Sequence, residues 1–200
     1  MYGRGSIKIS KVFVEIVLAP AYDPKALTLF SKKKNLRILE VENPQKHEKR
    51  LEVRNINGGV LLQETDKSTL SSTDLTIVTK NKPNETDIET MLFGWKILKH
   101  VRSNGIIAVK ENTTVGIGAG QVSRVDAVDI AIRKAGHNLP GSILCSDAFF
   151  PFRDSIDKIA GKGIIAIIQP GGSVRDQEVV SACNKHGISM VFTGQRCFKH

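Results

Sequence analysis

From residue 105 onward, short apolar runs alternate with stretches in which apolar residues recur at helical spacing. This alternation constrains the fold more than any other feature of the sequence. The runs predict strands at residues 105–109, 114–117, 142–146, 164–168 and 189–192. The helical spacing predicts helices from Asn84, from Ser123, and over residues 154–160 and 176–186. Because continuous apolar strands between helices are typical of strands covered on both faces, the sequence predicts an α/β sandwich with a largely parallel sheet.

The first part of the chain predicts a smaller arrangement of the same kind. Two apolar strands, residues 12–19 and 36–41, flank a helix that is predicted to begin near Asp23 and Pro24. Aspartate caps helices, and proline is favoured in their first turn. A short strand is predicted at residues 60–63, between polar, turn-rich stretches. The charged, proline-containing stretch 43–49 is the strongest predicted boundary within the chain.

The charge and the cysteines limit the classes of partner. The net charge of +9 favours acidic partners, among them nucleic acid, phosphorylated metabolites and polyglutamylated folates. The basic residues are dispersed apart from 32–34 and 46–50, and few aromatic residues lie among them, so a stacking platform for single strands is poorly supported. Cys145, Cys183 and Cys197 are odd in number and widely spaced, which favours free thiols in a reducing cytoplasm. No apolar run approaches the ~20 residues that span a bilayer, and no secretory core is visible, so we expect no membrane partner.

Residues of chemical use follow three of the predicted strands, where ligands gather in open α/β sheets. Asp147, three phenylalanines and Asp154 follow the first, a Gly-Gly-Ser turn at 171–173 follows the second, and Arg196 follows the third. Backbone amides at a helix start bind anions, arginine binds phosphate bidentately, and aromatic rings suit a planar heterocycle. A ligand site is predicted here, although core phenylalanines, a simple connecting turn and a surface arginine remain the alternatives.

Two cofactor classes are disfavoured by spacing. Gly116, Gly118 and Gly120 lie between a strand and a helix, as in dinucleotide-binding loops. That fingerprint needs a glycine where Gln121 stands, and the two preceding strands are predicted to form a hairpin rather than a βαβ unit. The five histidines show no zinc-binding pattern. We therefore expect neither a nicotinamide cofactor nor zinc.

Several stretches in order carry a more specific resemblance. Ser103-Asn104 is followed by TVGIGAGQVSRVD at 114–126, SDAFFPFRD at 146–154 and IQPGGS at 168–173. The stretches 13–20, 31–35, 95–101 and 191–200 agree with them. Together they resemble the transformylase half of the bifunctional purine biosynthesis protein family, which couples that activity to inosine monophosphate cyclohydrolase.

The resemblance implies two cytidine-deaminase-like α/β subdomains without zinc, with residues 1–51 as the remainder of the first and 52–200 as the second. It implies transfer of a formyl group from 10-formyltetrahydrofolate to the amino group of 5-aminoimidazole-4-carboxamide ribonucleotide. Active sites at the interface of an intertwined homodimer are also implied, with no nucleic acid as partner.

The resemblance also implies roles for individual residues. The nucleotide is expected to contact Glu15 (from the partner side), Asn104, Arg124, Phe149 and Arg196. Asn104 is the implied catalytic residue, orienting the amine or the formyl group, and Arg196 the implied phosphate ligand. The folate is expected to contact Val125, Asp154, Ser173 and Val174, with Asp154 bonded to the pterin. Asp147 falls near a potassium site of the family, but the surrounding side chains differ.

One departure from the family concerns the general base. The family supplies it from a Lys-His-x-Asn-Pro motif that these 200 residues do not contain. Lys99-His100 stands in a different, helical context and is not expected to replace it. The chain is therefore expected to be a truncated piece that lacks the base and the cyclohydrolase domain and is inactive alone. The alternative interpretation is a basic α/β module that binds nucleic acid or a protein partner.

Overall fold

The computed structural model describes residues 3–42, 51–66 and 68–199. It divides into two compact units, Met1–Thr65 and Asp66–His200. The boundary predicted at residues 43–49 lies outside the described residues, as does the basic cluster 46–50. The assignment of residues 1–51 and 52–200 to two subdomains stays a prediction.

The first unit contains a parallel strand pair and a hairpin. Its elements are α1 (Gly3–Ser10), β1 (Ile16–Ala19), α2 (Pro24–Phe30), β2 (Arg37–Glu40), β3 (Leu51–Ile56) and β4 (Gly59–Glu64). Strands β1 and β2 pair in parallel, and β3 pairs with β4 in antiparallel orientation. The predicted start of α2 is confirmed: the Asp23 side chain accepts a hydrogen bond from the Lys25 amide at 2.8 Å. Ala26 and Phe30 of α2 pack on Val17 of β1.

The second unit is built on a six-stranded mixed sheet. Its elements are β5 (Thr76–Ile77), α3 (Glu85–Leu98), β6 (Ile106–Lys110), β7 (Thr113–Gly118), α4 (Arg124–Ala135), β8 (Ile143–Ser146), α5 (Asp154–Ile159), β9 (Ala166–Gln169), α6 (Asp176–Lys185) and β10 (Ser189–Phe192). The strand order is β5-β10-β9-β8-β6-β7. Strands β8, β9 and β10 are parallel neighbours, β6 is antiparallel to both β7 and β8, and β5 is antiparallel to β10. Four of the six strands, β7 to β10, therefore run in one direction.

Both faces of this sheet are covered, which confirms the α/β class. Ile106 and Ala108 of β6 belong to the core cluster that also contains residues of α4, α5 and α6. Ile107 and Val109, which point to the opposite face, pack with Trp95 and its neighbours on α3. Strands β6 and β7 are antiparallel because they form the predicted hairpin. Its turn residues Glu111 and Asn112 have φ of 47° and 56°.

The glycines of β7 allow α4 to lie directly against the sheet. A Cβ atom on Gly116 would lie 2.1 Å from the Ala131 carbonyl oxygen, and one on Gly118 would lie 1.9 Å from that of Ala127. No side chain fits at these distances, so the glycine-rich segment serves close helix–strand packing. Arg124, the first residue of α4, lies at the carboxyl end of β8, where it contacts Ser146 and Asp147.

The cysteines are buried and free, as predicted. Burial raises the pKa of the Cys183 thiol to about 12. Burial is also the main cause that raises the pKa of Cys145 and of Cys197, and a nearby Asp147 adds to it for Cys197. These thiols are therefore poorly suited to act as nucleophiles near neutral pH. Within the described ranges, the helices are too short or too polar to cross a membrane.

Candidate functional site

A cavity of about 380 Å³ lies in the second unit beside the loop that follows β8. Six of the ten residues predicted for the site line it: Asn104, Arg124, Val125, Phe149, Asp154 and Arg196. They come from four separate segments of the chain, between residues 104 and 196. The loop after β8 divides its phenylalanines, because Phe149 and Phe152 line the cavity whereas Phe150 is fully buried in the core.

A buried ion pair between Arg124, which lines this cavity, and Asp147, which does not, adjoins it, and we call this pair the floor of the cavity. Arg124 is 7% exposed, and its Nη1 donates to Asp147 Oδ1 at 2.6 Å and to Ser146 Oγ at 2.8 Å. Nη2 of Arg124 donates to Asn104 Oδ1 at 2.8 Å. The guanidinium thus links the end of β8 to the segment before β6. Because both charges are withdrawn from water, each depends on the other to stay buried.

Asp147 is fully buried, and both of its carboxylate oxygens and its carbonyl oxygen accept hydrogen bonds. Its Oδ2 accepts from Ser103 Oγ at 2.6 Å and from the Gly105 amide at 2.9 Å, and its carbonyl oxygen accepts from the Cys197 amide at 3.1 Å. Because this carboxylate already accepts three hydrogen bonds and is paired with Arg124, we assign no potassium ligand to it. Within the described ranges, no three His, Cys, Asp or Glu side chains form a group that could hold a metal.

Asn104 is oriented by its neighbours. Its Nδ2 donates to the carbonyl oxygens of Gln121 at 2.9 Å and Val122 at 3.1 Å. Both amide hydrogens are thereby used, and Oδ1 accepts from Arg124. One acceptor site on Oδ1 is left, since a carbonyl oxygen has two lone pairs. The Asn104 side chain can therefore accept a hydrogen bond from a ligand N–H, but it has no donor to spare. The peptide bond between Ser103 and Asn104 is cis.

Arg196 stands at the rim, stacked on two aromatic rings. Its guanidinium carbon lies 4.9 Å from the centroid of Phe149 and 5.9 Å from that of Phe198. The residue is exposed, and within the described ranges its guanidinium contacts aromatic rings rather than a carboxylate. A guanidinium held over a ring in this way keeps N–H groups that can donate to an anion. Sequence reasoning missed Phe198. The available signal was its place two residues after Arg196, because alternate residues of an extended segment share a side.

Asp154 opens α5 beside the cavity. It is exposed, and its Oδ1 accepts from the Ser155 amide at 2.6 Å and from Ser155 Oγ at 3.3 Å. The hydrogen bonds found among the described residues engage only Oδ1. The second carboxylate oxygen is thus free to accept a hydrogen bond from a ligand.

Two predicted residues, Ser173 and Val174, lie on the next loop and do not line the cavity. Ser173 Oγ accepts from the Arg175 amide at 3.1 Å, and the Val174 side chain is fully exposed. The amide of Gly172, expected from sequence as part of an anion seat, donates to Asp176 Oδ2 at 2.7 Å. That expectation was wrong for Gly172, because the first acidic residue of α6 already uses its N–H group.

Glu15 lies in the first unit and lines a separate cavity of about 660 Å³. Phe13, Lys33, Lys34 and Arg37 are among the other residues of this cavity. Lys33 is partly committed, since its Nζ donates to the Val12 carbonyl oxygen at 2.7 Å. Although this cavity is the larger one, it contains a single predicted site residue, so the smaller cavity is the better candidate.

Lys99 and His100 do not line either cavity. Lys99 Nζ lies 3.7 Å from an oxygen of Asp66 and donates to the Ser68 carbonyl oxygen. His100 is exposed at the end of α3. Lys99 thus has a structural role, as expected from its helical context.

Comparison with known proteins gives a consistent result. The profile of a family described as AICARFT/IMPCHase bienzyme matches residues 5–134. The chain is 48% identical to the bifunctional purine biosynthesis protein PurH of Aquifex aeolicus over 201 residues, which are 99% of this chain and 39% of that protein. The PurH proteins of Magnetococcus marinus and Caldicellulosiruptor saccharolyticus are also 48% identical, over 96% of this chain and 38% and 37% of their own lengths. The chain thus spans about two fifths of these curated relatives. With a matching profile over more than half of its residues, the chain belongs to the AICARFT/IMPCHase bienzyme family.

Proposed function

We propose that this chain is a substrate-binding part of a transformylase of purine (IMP) biosynthesis. The reaction moves a formyl group from 10-formyltetrahydrofolate to the 5-amino group of 5-aminoimidazole-4-carboxamide ribonucleotide. The observation that carries the proposal is the convergence of Asn104, Arg124, Phe149, Asp154 and Arg196 on one cavity. Membership of the family supports it. The comparisons give no support to the alternative of a nucleic-acid-binding module.

The nucleotide occupies the side of the cavity near Arg196. The exposed N–H edge of this arginine, stacked on Phe149, binds the phosphate as a bidentate donor. Asn104 offers its remaining acceptor site to an N–H group of the aminoimidazole carboxamide, and Arg124 holds Asn104 in place at 2.8 Å. In this proposal Glu15 completes the nucleotide site from the partner subunit of a homodimer.

The folate occupies the side near Asp154. The free oxygen of Asp154 accepts a hydrogen bond from the pterin, and Val125 contributes an apolar contact beside it. Ser173 and Val174 contact the folate from the neighbouring loop. The fold that accompanies this function is a pair of cytidine-deaminase-like subdomains, and the mixed sheet covered on both faces supports that assignment for the second unit.

The chemistry explains why alignment matters. The lone pair of the amine is drawn into the imidazole carboxamide, so the amine is a poor nucleophile. In the reaction the amine nitrogen attacks the formyl carbon, and the bond from that carbon to N10 of the folate breaks. The amine loses one proton, and N10 gains one. Holding both substrates in register lowers the barrier, while proton removal and oxyanion stabilisation lower it further. We assign to this chain the alignment of the substrates through Asn104. We assign to it no general base for proton removal.

Calorimetry with each ligand tests the proposal directly. The 200-residue chain should bind the ribonucleotide and 5-formyltetrahydrofolate, a stable folate probe, at separate subsites. Saturation with one ligand should leave the site for the other open. Competition between the two, or binding that disappears with added salt as phosphate-backbone binding does, would contradict the proposal.

An activity assay tests the assignment of the base. Because acid–base catalysis contributes ~10²–10⁴ in rate, the chain alone should show only trace release of tetrahydrofolate. Addition of a fragment that carries the Lys-His-x-Asn-Pro motif should raise turnover. Rapid turnover by the chain alone would show that a group present here removes the proton, and His100→Ala would then be the first variant to assay.

A further inference from the structure

Two loops at the carboxyl ends of β8 and β9 are joined by a contact between Arg175 and Phe152. The guanidinium carbon of Arg175 lies 4.7 Å from the centroid of the Phe152 ring. Phe152 lines the cavity of about 380 Å³, whereas Arg175, just before α6, does not. An arginine outside the lining thus contacts one of the aromatic walls.

Arg175 is itself anchored at the start of α6. Its amide donates to Ser173 Oγ at 3.1 Å, and its Nη1 lies 3.9 Å from Glu178 Oε2 in the first turn of the helix. The side chain is 52% exposed, so its contacts are with the surface of the unit rather than with the core. This anchoring holds the guanidinium next to the neighbouring loop.

Phe152 needs such support because little else covers it. It is 47% exposed, in contrast to the fully buried Phe150 two residues earlier. A half-exposed ring on a loop can change rotamer at low cost. A cation over its face favours one ring position, and at exposed sites this attraction corresponds to about a two- to fivefold change in an equilibrium constant.

We propose that Arg175 is a positioning residue: by stacking on Phe152 it holds that ring as a fixed wall of the cavity and so sets the affinity for the planar part of the folate. The inference rests on the proposed function for the identity of the ligand. The ring placement itself rests on the contact between Arg175 and Phe152 alone.

Calorimetry with 5-formyltetrahydrofolate measures the effect on binding. Arg175→Ala should weaken binding about two- to fivefold, and Arg175→Lys, which keeps a cation, should retain most of the affinity. Arg133→Ala, an exposed arginine on α4, removes the same charge and should change nothing. In a Phe152→Leu background, Arg175→Ala should have no further effect, because the ring through which it acts is gone. An equal loss in both backgrounds would overturn the proposal, since Arg175 would then act on the ligand directly.

A second measurement reports on the ring without any ligand. The eight phenylalanines can be replaced by 4-fluorophenylalanine, and the Phe152 resonance is the one that Phe152→Leu removes. This fluorine resonance should shift in Arg175→Ala and stay in place in Arg133→Ala. An unchanged resonance would overturn the proposal. If the unaltered chain bound no folate probe, the proposed function would fail, and the fluorine comparison would still decide whether Arg175 holds the ring.

Discussion

Two arginines line the same cavity in opposite circumstances. Arg124 on the floor is 7% exposed and donates to Asp147, Ser146 and Asn104. Arg196 at the rim is exposed and stacks on Phe149 and Phe198. A buried guanidinium that is already paired stabilises the site. An exposed guanidinium that lies over aromatic rings keeps N–H groups that can bind an anion. In the proposed function, the same residue type therefore serves the fold in one place and ligand binding in the other.

Removal of the floor carboxylate should have the largest effect on stability. Asp147→Ala leaves a buried guanidinium without its counter-charge, and two further donors lose their acceptor. The expected loss is about 3–5 kcal/mol in the free energy of unfolding. Urea unfolding, read as a shift in midpoint at constant slope, measures it.

The matched control for this variant is Asp129→Ala. Asp129 forms an ion pair with Lys158 at the surface, where both side chains are more than 40% exposed. Its removal should cost less than about 1 kcal/mol. If the two variants lost similar stability, the floor would not be the scaffold described above.

Removal of the rim arginine should change binding and leave the fold intact. Arg196→Ala should weaken ribonucleotide binding by about 1.5–3 kcal/mol, the range for a charged hydrogen-bonding group. Its effect on unfolding should stay at or below about 1–2 kcal/mol, because only two cation–π contacts at the surface are lost. Calorimetry with each ligand provides the test. A loss that fell on the folate and spared the nucleotide would show that the roles are assigned wrongly.

A side chain between β7 and α4 should disturb the floor indirectly. Gly118→Ala places a Cβ 1.9 Å from the Ala127 carbonyl oxygen, so the helix that begins with Arg124 must move. Overpacking of this kind costs about 1–3 kcal/mol. Urea unfolding and nucleotide calorimetry should both register the change. Gly59→Ala, where the new methyl meets open space, is the control and should be close to neutral.

The smallest expected effect belongs to an ion pair on the surface of α5. Hydrogen bonds from Arg153 lower the pKa of Asp157. A carboxyl whose folded-state pKa is lowered adds stability above its ordinary pKa and loses it as pH falls through the folded value. Both side chains are more than 40% exposed, so solvent screens most of this contribution. Asp157→Asn should therefore be slightly less stable than the unaltered chain near neutral pH, and the difference should shrink as the pH falls below the ordinary pKa of an aspartate. A difference that grew on acidification would contradict this sign.

Elements that bury a continuous apolar run were predictable from the sequence. The last strand, Ser189–Phe192, was predicted with the bounds that the structure has, and the helices predicted to start at Asn84 and Ser123 begin there, with these two residues as their N-caps. Strand β5 has only two residues, which are too few to show a periodicity, so the sequence could not predict it. Strand β3 was not predicted, because Asn55 near its end belongs to a polar stretch that is typical of turns.

The candidate site was predictable where it follows strand ends. The loop after β8 and Arg196 were identified because open α/β sheets place ligands there. The floor was harder to predict, because Ser103 and Asp147 are 44 residues apart and meet only through the pairing of β6 with β8. Arg175 and Phe152 likewise belong to different loops, and no local pattern links them.

The hydrogen bonds between Ser103 and Lys199 connect positions that are 96 residues apart. At synthesis rates of about 5–20 residues per second, roughly 5 to 20 s separate the appearance of the two on a ribosome. Once Asp147 has been added and until Arg196 is added, the growing chain contains both Arg124 and Asp147 but neither Arg196 nor Phe198. A nascent chain can therefore assemble the floor of the cavity before Arg196 and Phe198 have been synthesised.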